Sequence, residues 1–258
     1  FPLGEKDPKI LARKAVLDDE VYRVRLGGEP VRVLGIVARQ ANADRHVHAI
    51  ETNNSSVELA IDPGYAGAYS ILALQYYEGQ IHIIDEIYEQ FRTTEEMIEE
   101  AKLRPWWHLV DVKQPGTIDR AAKQHHAQDS VHEKWLEHTE FWLDLSNAVI
   151  PVDDGIDQLN MHLRTDRIIV HPKCRGILAE WDLANFPDEM QNFTPWQYKK
   201  NSSGDLRGDK AVEGADHSTT ALIYWLVQRF GFVTPDTLDY TPGEIMYSEY
   251  GPDYATVA

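Results

Sequence analysis

Three aspartates stand where a chain could present carboxylates to hard cations. Val57-Glu58-Leu59-Ala60-Ile61-Asp62 is an alternating apolar run that ends in an acid, and Pro63-Gly64 stops it at once. Trp106-Trp107-His108-Leu109-Val110-Asp111 ends the same way, ahead of Gln114-Pro115-Gly116. Asp216 opens a helix-periodic stretch that runs to Phe230, and a helix N-terminus favours an ionised acid. Each has a plainer reading, because aspartate commonly starts turns and helices. Brought together, three carboxylates repel one another, and burial without a cation raises their pKa. Two divalent cations, Mg²⁺ or Mn²⁺, remove that cost. Such a pair, roughly 3.5–4 Å apart, clamps the attacking and leaving oxygens of a phosphodiester.

Other candidates carry an equally bland alternative. Glu86 can approach the acids from its own strand, or face solvent at an edge. Asp85 points to the opposite face, so at most one of the two can serve. His217 can contact a phosphate or orient a water, or it merely starts a helix. Lys199, Lys200, Arg207 and Lys210 lie in a polar, glycine-containing stretch that reads as a hairpin or loop before Asp216. Basic side chains there can follow a DNA backbone. His125, His126, His132 and His138 read as a solvated helical face, since no cysteine or tight spacing supports zinc. Cys174 is the single cysteine, which excludes an intrachain disulfide and reads as a buried thiol.

The elements that must position these residues follow from periodicity. Strands are expected at 57–62, 69–77 and 80–87, joined by short turns into an antiparallel meander. A helix capped by Thr93 or Thr94 follows and ends at Pro105. Further strands are expected at 106–111, 140–145 and 167–170, with helices from Thr117 onward and at 153–163, 172–183 and 216–230. That order describes an α/β fold with a mixed sheet, antiparallel at its start and crossover-connected afterwards.

Residues 1–56 read as a lead-in or linker without a core, 57–232 as the domain, and 233–258 as an acidic, flexible tail. The chain has 258 residues and a formal charge of −17, which argues against a passive nucleic-acid coating protein. It does not argue against an enzyme acting on nucleic acid, because bound cations reverse the local field. No apolar run is long enough to cross a bilayer, and residues 1–15 do not read as a signal peptide. Phe1 in place of Met suits a fragment or a processed product.

The order of these motifs resembles the ribonuclease H-like nucleases, and more narrowly the nuclease domain of the large terminase subunit of tailed bacteriophages. The resemblance runs across most of residues 44–226. It is carried by Asp44–Ile50, Ala60–Tyr65, Ile84–Tyr88, Leu109–Pro115, Asp154–Leu159, Ile168–Cys174, Gly208–Val212 and Asp216–Tyr224. Thr220 and Ile223 stand where many members of that family carry Asp and Arg, which leaves Asp216 the one carboxylate of its motif. The resemblance implies a metal-dependent endonuclease with Asp62, Asp111 and Asp216 as metal ligands. It implies double-stranded viral DNA as substrate during genome packaging, in the host cell cytoplasm with no membrane partner. The implied protein partners are an ATPase half of the same full-length protein, the portal ring and the small terminase subunit. No Walker A motif occurs in this chain. Two rivals remain: an actin-like, ATP-binding kinase-type domain, and a catalytically silent ribonuclease H-like docking module.

Overall fold

A computed structural model describes residues 35–119, 130–145, 150–200 and 206–231. The lead-in as far as residue 34, the tail from 232, and His125 and His126 lie outside the described residues.

A five-stranded mixed sheet forms the centre, in the order β4-β1-β2-β3-β5. β1 (Val57–Asp62), β2 (Tyr69–Tyr77) and β3 (Gln80–Glu89) make the expected antiparallel meander. β5 (Ile168–Val170) pairs parallel with β3, and β4 (Gly116–Ile118) pairs parallel with β1. Helices cover both faces, as parallel edge strands require.

Strand alternation divides the core in two. Val57, Leu59 and Ile61 face one way, with Trp106, Trp135 and the helices α2 (Thr94–Lys102) and α3 (Val131–Thr139). Ala60, Leu72, Ile81 and Ile83 face the other way, onto α4 (Val152–Arg164), α5 (Arg175–Glu180) and α6 (His217–Phe230). Asp62 shares the parity of Ala60 and so belongs to the α6 face. Thr93 caps α2 in a reciprocal box with Glu96, as the sequence suggests.

Several expectations fail, among them the strand expected at 140–145, of which only a single bridge from Asp144 to Thr117 forms. The strand expected at 106–111 is a 3₁₀ turn at Trp107–Leu109, followed by a single bridge from Val110 to Val57. The buried Trp106 is held by its indole, whose Nε1–H donates to Asp85 Oδ2 at 2.6 Å, so the aromatic run serves a side-chain anchor rather than a ladder. Pro115-Gly116, which reads as a breaker before a helix, is instead the entry of β4. Gly116 has φ +130°, and a Cβ there would lie 1.9 Å from Leu59 O; only glycine lets the two backbones meet. A segment that precedes Val57 also contributes to the core. Ile36, Val37, Ala38 and Ala41 are buried beside Trp181 and Trp196, and the short helix α1 (Ala43–His46) buries His46.

Among the remaining expectations, Cys174 is buried as expected. His132 is not solvated: it is buried, with Nε2 at 3.0 Å from Leu143 O. The stretch before Asp216 is a hairpin of β6 (Gln197–Lys200) and β7 (Leu206–Glu213).

The β4–β1 junction is directly testable. Gly116→Ala is expected to cost about 2 kcal/mol or more, by forcing a side chain into a left-handed backbone against Leu59. A lowered urea midpoint checks this; an unchanged midpoint would mean that β4 does not approach β1 so closely.

Candidate active site

Asp62 ends β1, with 13% of its side chain exposed. The neighbouring strand runs parallel, and its register pairs Ile118 with Ile61. Asp119 N–H then donates to Ile61 O at 3.0 Å, so the next residue pair across the ladder is Asp62 beside Asp119. The second acid at this sheet edge is therefore Asp119. Asp111 lies elsewhere: its N–H reaches Val57 O at 3.3 Å, at the opposite end of β1. Five residues of strand separate the two ends, roughly 17 Å. Asp111 Oδ1 accepts from Lys113 N–H at 2.9 Å, an Asx turn.

Asp216 and His217 arrive from the other side of the sequence, at the start of α6. His217 Nδ1 lies 3.0 Å from Asp62 Oδ2. Burial raises the Asp62 pKa to about 6; His217 opposes that rise, and the charges of Asp119 and Asp216 add to it. Burial likewise raises Asp216, with His217 opposing. Burial alone disfavours the His217 imidazolium, but Asp62, Glu180 and Asp216 outweigh it and raise that pKa. The loop after Asp62 closes on this pair. A Cβ at Gly67 would sit 2.7 Å from His217 Cε1, so glycine is required for the backbone to approach the ring.

A buried carboxylate fixes the start of α6. Ser218 N–H donates to Glu180 Oε1 at 3.0 Å, and Thr219 N–H to Glu180 Oε2 at 2.7 Å. These are first-turn amides with no partner inside the helix. Thr219 Oγ1–H and Tyr88 Oη–H also donate to Glu180, at 2.6 and 3.0 Å. Asp216 sits at the N-cap position yet makes no side-chain capping bond. Glu180 caps in its place, which leaves the Asp216 carboxylate to the site.

Glu86 does for α5 what Glu180 does for α6. It accepts from Gly176 N–H at 2.7 Å and Ile177 N–H at 2.8 Å, at the start of α5, and from Ser218 Oγ–H at 2.6 Å. With that proton committed, Ser70 must donate to Ser218 Oγ across 2.6 Å. Glu86 thus supports α5 and α6 rather than joining the acids. Asp85 faces the other way, as alternation requires, and receives Trp106 and, at 3.1 Å, Lys173. Lys199 and Lys200 fall on β6, and Arg207 and Lys210 on β7; their side chains lie outside what the structure describes.

Asp119 and Glu180 are the residues the sequence reading passed over. A signal for Asp119 existed: Gly116-Thr117-Ile118-Asp119 is a short β-branched run ending in an acid, like Ala60-Ile61-Asp62. Glu180 left no such trace, because its partners are 38 and 39 residues away. The oxygen donors and mutual repulsion of Asp62, Asp119 and Asp216 suit a hard divalent cation. Among the described residues, however, no three His, Cys, Asp or Glu side chains already form a metal-holding cluster.

No protein-family model matches this sequence, and no curated protein does. Solved structures do. The large terminase from a thermophilic bacteriophage matches with a TM-score of 0.56 at 16% identity, over 86% of this chain and 52% of that one. The P22 large terminase nuclease domain matches with a TM-score of 0.54 at 13% identity, over 79% of this chain and 97% of that domain. The chain has the ribonuclease H-like α/β fold of large terminase nuclease domains, and spans about half the length of the thermophilic phage protein.

The buried carboxylates set a pH dependence. Burial first, and then the Glu180 charge, raise Glu86 from an ordinary 4.5 to about 7. A carboxyl raised on folding favours the fold below its unfolded pKa, and that favour is lost as pH rises through the folded value. The stability of the wild type relative to Glu86→Gln is expected to fall between about pH 4.5 and 7. Urea unfolding across that range checks it; a difference that grows with pH would contradict it.

Proposed function

We propose that this chain is a metal-dependent endonuclease whose ligands are Asp62, Asp119 and Asp216. The observation that carries the reading is Asp62 beside Asp119 at the ends of parallel strands, with Asp216 charging the same carboxyl from α6. The fold shared with terminase nuclease domains supports it. Two divalent cations, Mg²⁺ or Mn²⁺, would supply a nucleophilic water and stabilise the leaving 3′ oxygen. The chain's own residues bind and orient. The three aspartates would hold the cations, while His217 fixes the rotamer of Asp62 and Glu180 holds the α6 turn that carries Asp216.

The substrate we assign is double-stranded viral DNA during genome packaging, in the host cytoplasm. The partners we assign are an ATPase half, the portal ring and the small terminase subunit. Support for the first partner is that the thermophilic phage large terminase, about twice the length spanned here, was solved with ATP-γ-S and with ADP. No described helix is long and apolar enough to cross a membrane. The silent docking module keeps one observation in its favour, the absence of a ready-made metal cluster among the described residues.

Plasmid digestion with Mn²⁺, Mg²⁺ and EDTA separates these readings. Residues that merely orient metal ligands are worth roughly 10–100-fold. Asp62→Asn and Asp119→Asn are therefore expected to lose at least that much cutting while remaining folded by circular dichroism. Asp111→Asn is expected to cut as the wild type does. Full activity in the first two variants, or a wild type inert in both metals, would end the nuclease reading.

A further inference from the structure

The loop that carries Asp62 into the site also carries an aromatic ring out of it. Tyr65 is 60% exposed and Phe91, just beyond β3, is 63% exposed. Their rings meet edge to face, with centroids 5.8 Å apart. Two hydrogen bonds tie the loops together: Phe91 N–H to Tyr65 O at 2.8 Å, and Gln90 Nε2–H to Ala66 O at 2.7 Å. Phe91 also has φ +56°, a left-handed backbone that a bulky L residue adopts at a cost. One residue therefore combines backbone strain with an apolar ring left in water, and folding rewards neither. Four other described non-glycine residues have positive φ, but all are Glu or Asp at turns or helix ends; Phe91 is the bulky apolar one, and it stands beside the loop that follows Asp62.

The surroundings indicate which ligand. Phe91 lines a groove of about 480 Å³ together with Arg104, Lys173 and Arg175. Arg175 donates to the carbonyls of Asn185 and Phe186, which leave its charge uncancelled. Glu89 and Glu189 share the rim, and Arg104 and Lys173 are paired with Glu100 and Asp85, so charge alone does not hold a phosphate chain there. Tyr88 lines the same groove, and its ring stands 6.4 Å from that of His217, the partner of Asp62.

We propose that one ring of the Tyr65–Phe91 pair, propped edge to face by the other, is a stacking platform for an unpaired or unstacked nucleobase next to the cleaved phosphate. The proposal rests on the nuclease reading and deepens it: the preferred substrate is DNA that is gapped, forked or locally opened. Bases in intact duplex present no free face, whereas an opened base stacks on an aromatic ring whatever its identity.

The test measures binding in Ca²⁺ buffer to an intact duplex and to the same duplex with a two-nucleotide gap flanked by 2-aminopurine. The wild type is expected to prefer the gapped DNA by about fivefold or more, the worth of one stacked base. Tyr65→Ala and Phe91→Gly are expected to lose that preference and keep intact-duplex affinity. Phe91→Gly should keep or raise the thermal midpoint, because glycine suits φ +56°. No preference in the wild type, or a preference kept in both variants, overturns the platform. Variants that lose association with a separately expressed ATPase half, with DNA preference intact, overturn it as well. Failure of the nuclease reading shows separately, as a wild type that cuts no plasmid in Mn²⁺ or Mg²⁺.

Discussion

Everything at this site depends on where the first turn of α6 is held, and a buried carboxylate from another helix holds it. Glu180 accepts both backbone N–H groups of Ser218 and Thr219, together with two hydroxyls. Unmade hydrogen bonds in a buried helix start would be costly, so the turn has one well-satisfied position. Glu86 extends the constraint to α5 and, through Ser218 and Ser70, to β2. The result is a polar seam through an apolar core that registers α6 against the sheet. His217 reaches Asp62 because that seam holds the first turn of α6 in place.

The sheet supplies the other half of the geometry. An antiparallel partner would send the next acid to the wrong edge, whereas a parallel one ends where β1 ends. β4 achieves this in three residues, through a glycine that lets its backbone lie against Leu59. Asp62 and Asp119 then occupy equivalent strand ends, 57 positions apart in the chain but adjacent across the ladder. Asp111 precedes the same short strand and so belongs to the opposite edge.

The electrostatics of the site follow from burial and from the crowding of like charges. Burial raises Asp62 and Asp216, and each added negative charge raises Asp62 further. His217 relieves some of that repulsion through its bond to Asp62. Gly67 keeps the loop pressed on His217, so the pair is partly shielded from water on that side.

Local pattern was enough to read the meander from Val57 to Ile87, the helices near 94–102, 152–164 and 217–230, and Asp62 and Asp216 at their ends. Alternation and helical period are written in neighbouring residues, and so is the opposite facing of Asp85 and Glu86. Trp106 to Asp111 imitated a strand because bulky apolar residues suit either a ladder or an anchored turn, and the choice was made by Asp85 receiving the Trp106 indole. Pro115-Gly116 looked like punctuation because the closeness of Leu59 is invisible in sequence. Glu180 carried no mark of its function, since a carboxylate becomes a helix cap only when packing brings a foreign helix start to it. The sequence by itself determined most of the segments that became strands or helices and placed Asp62 and Asp216 at the ends of two of them. Tertiary structure alone decided which acids are neighbours, because parallel pairing and long-range capping join residues whose spacing along the chain is arbitrary.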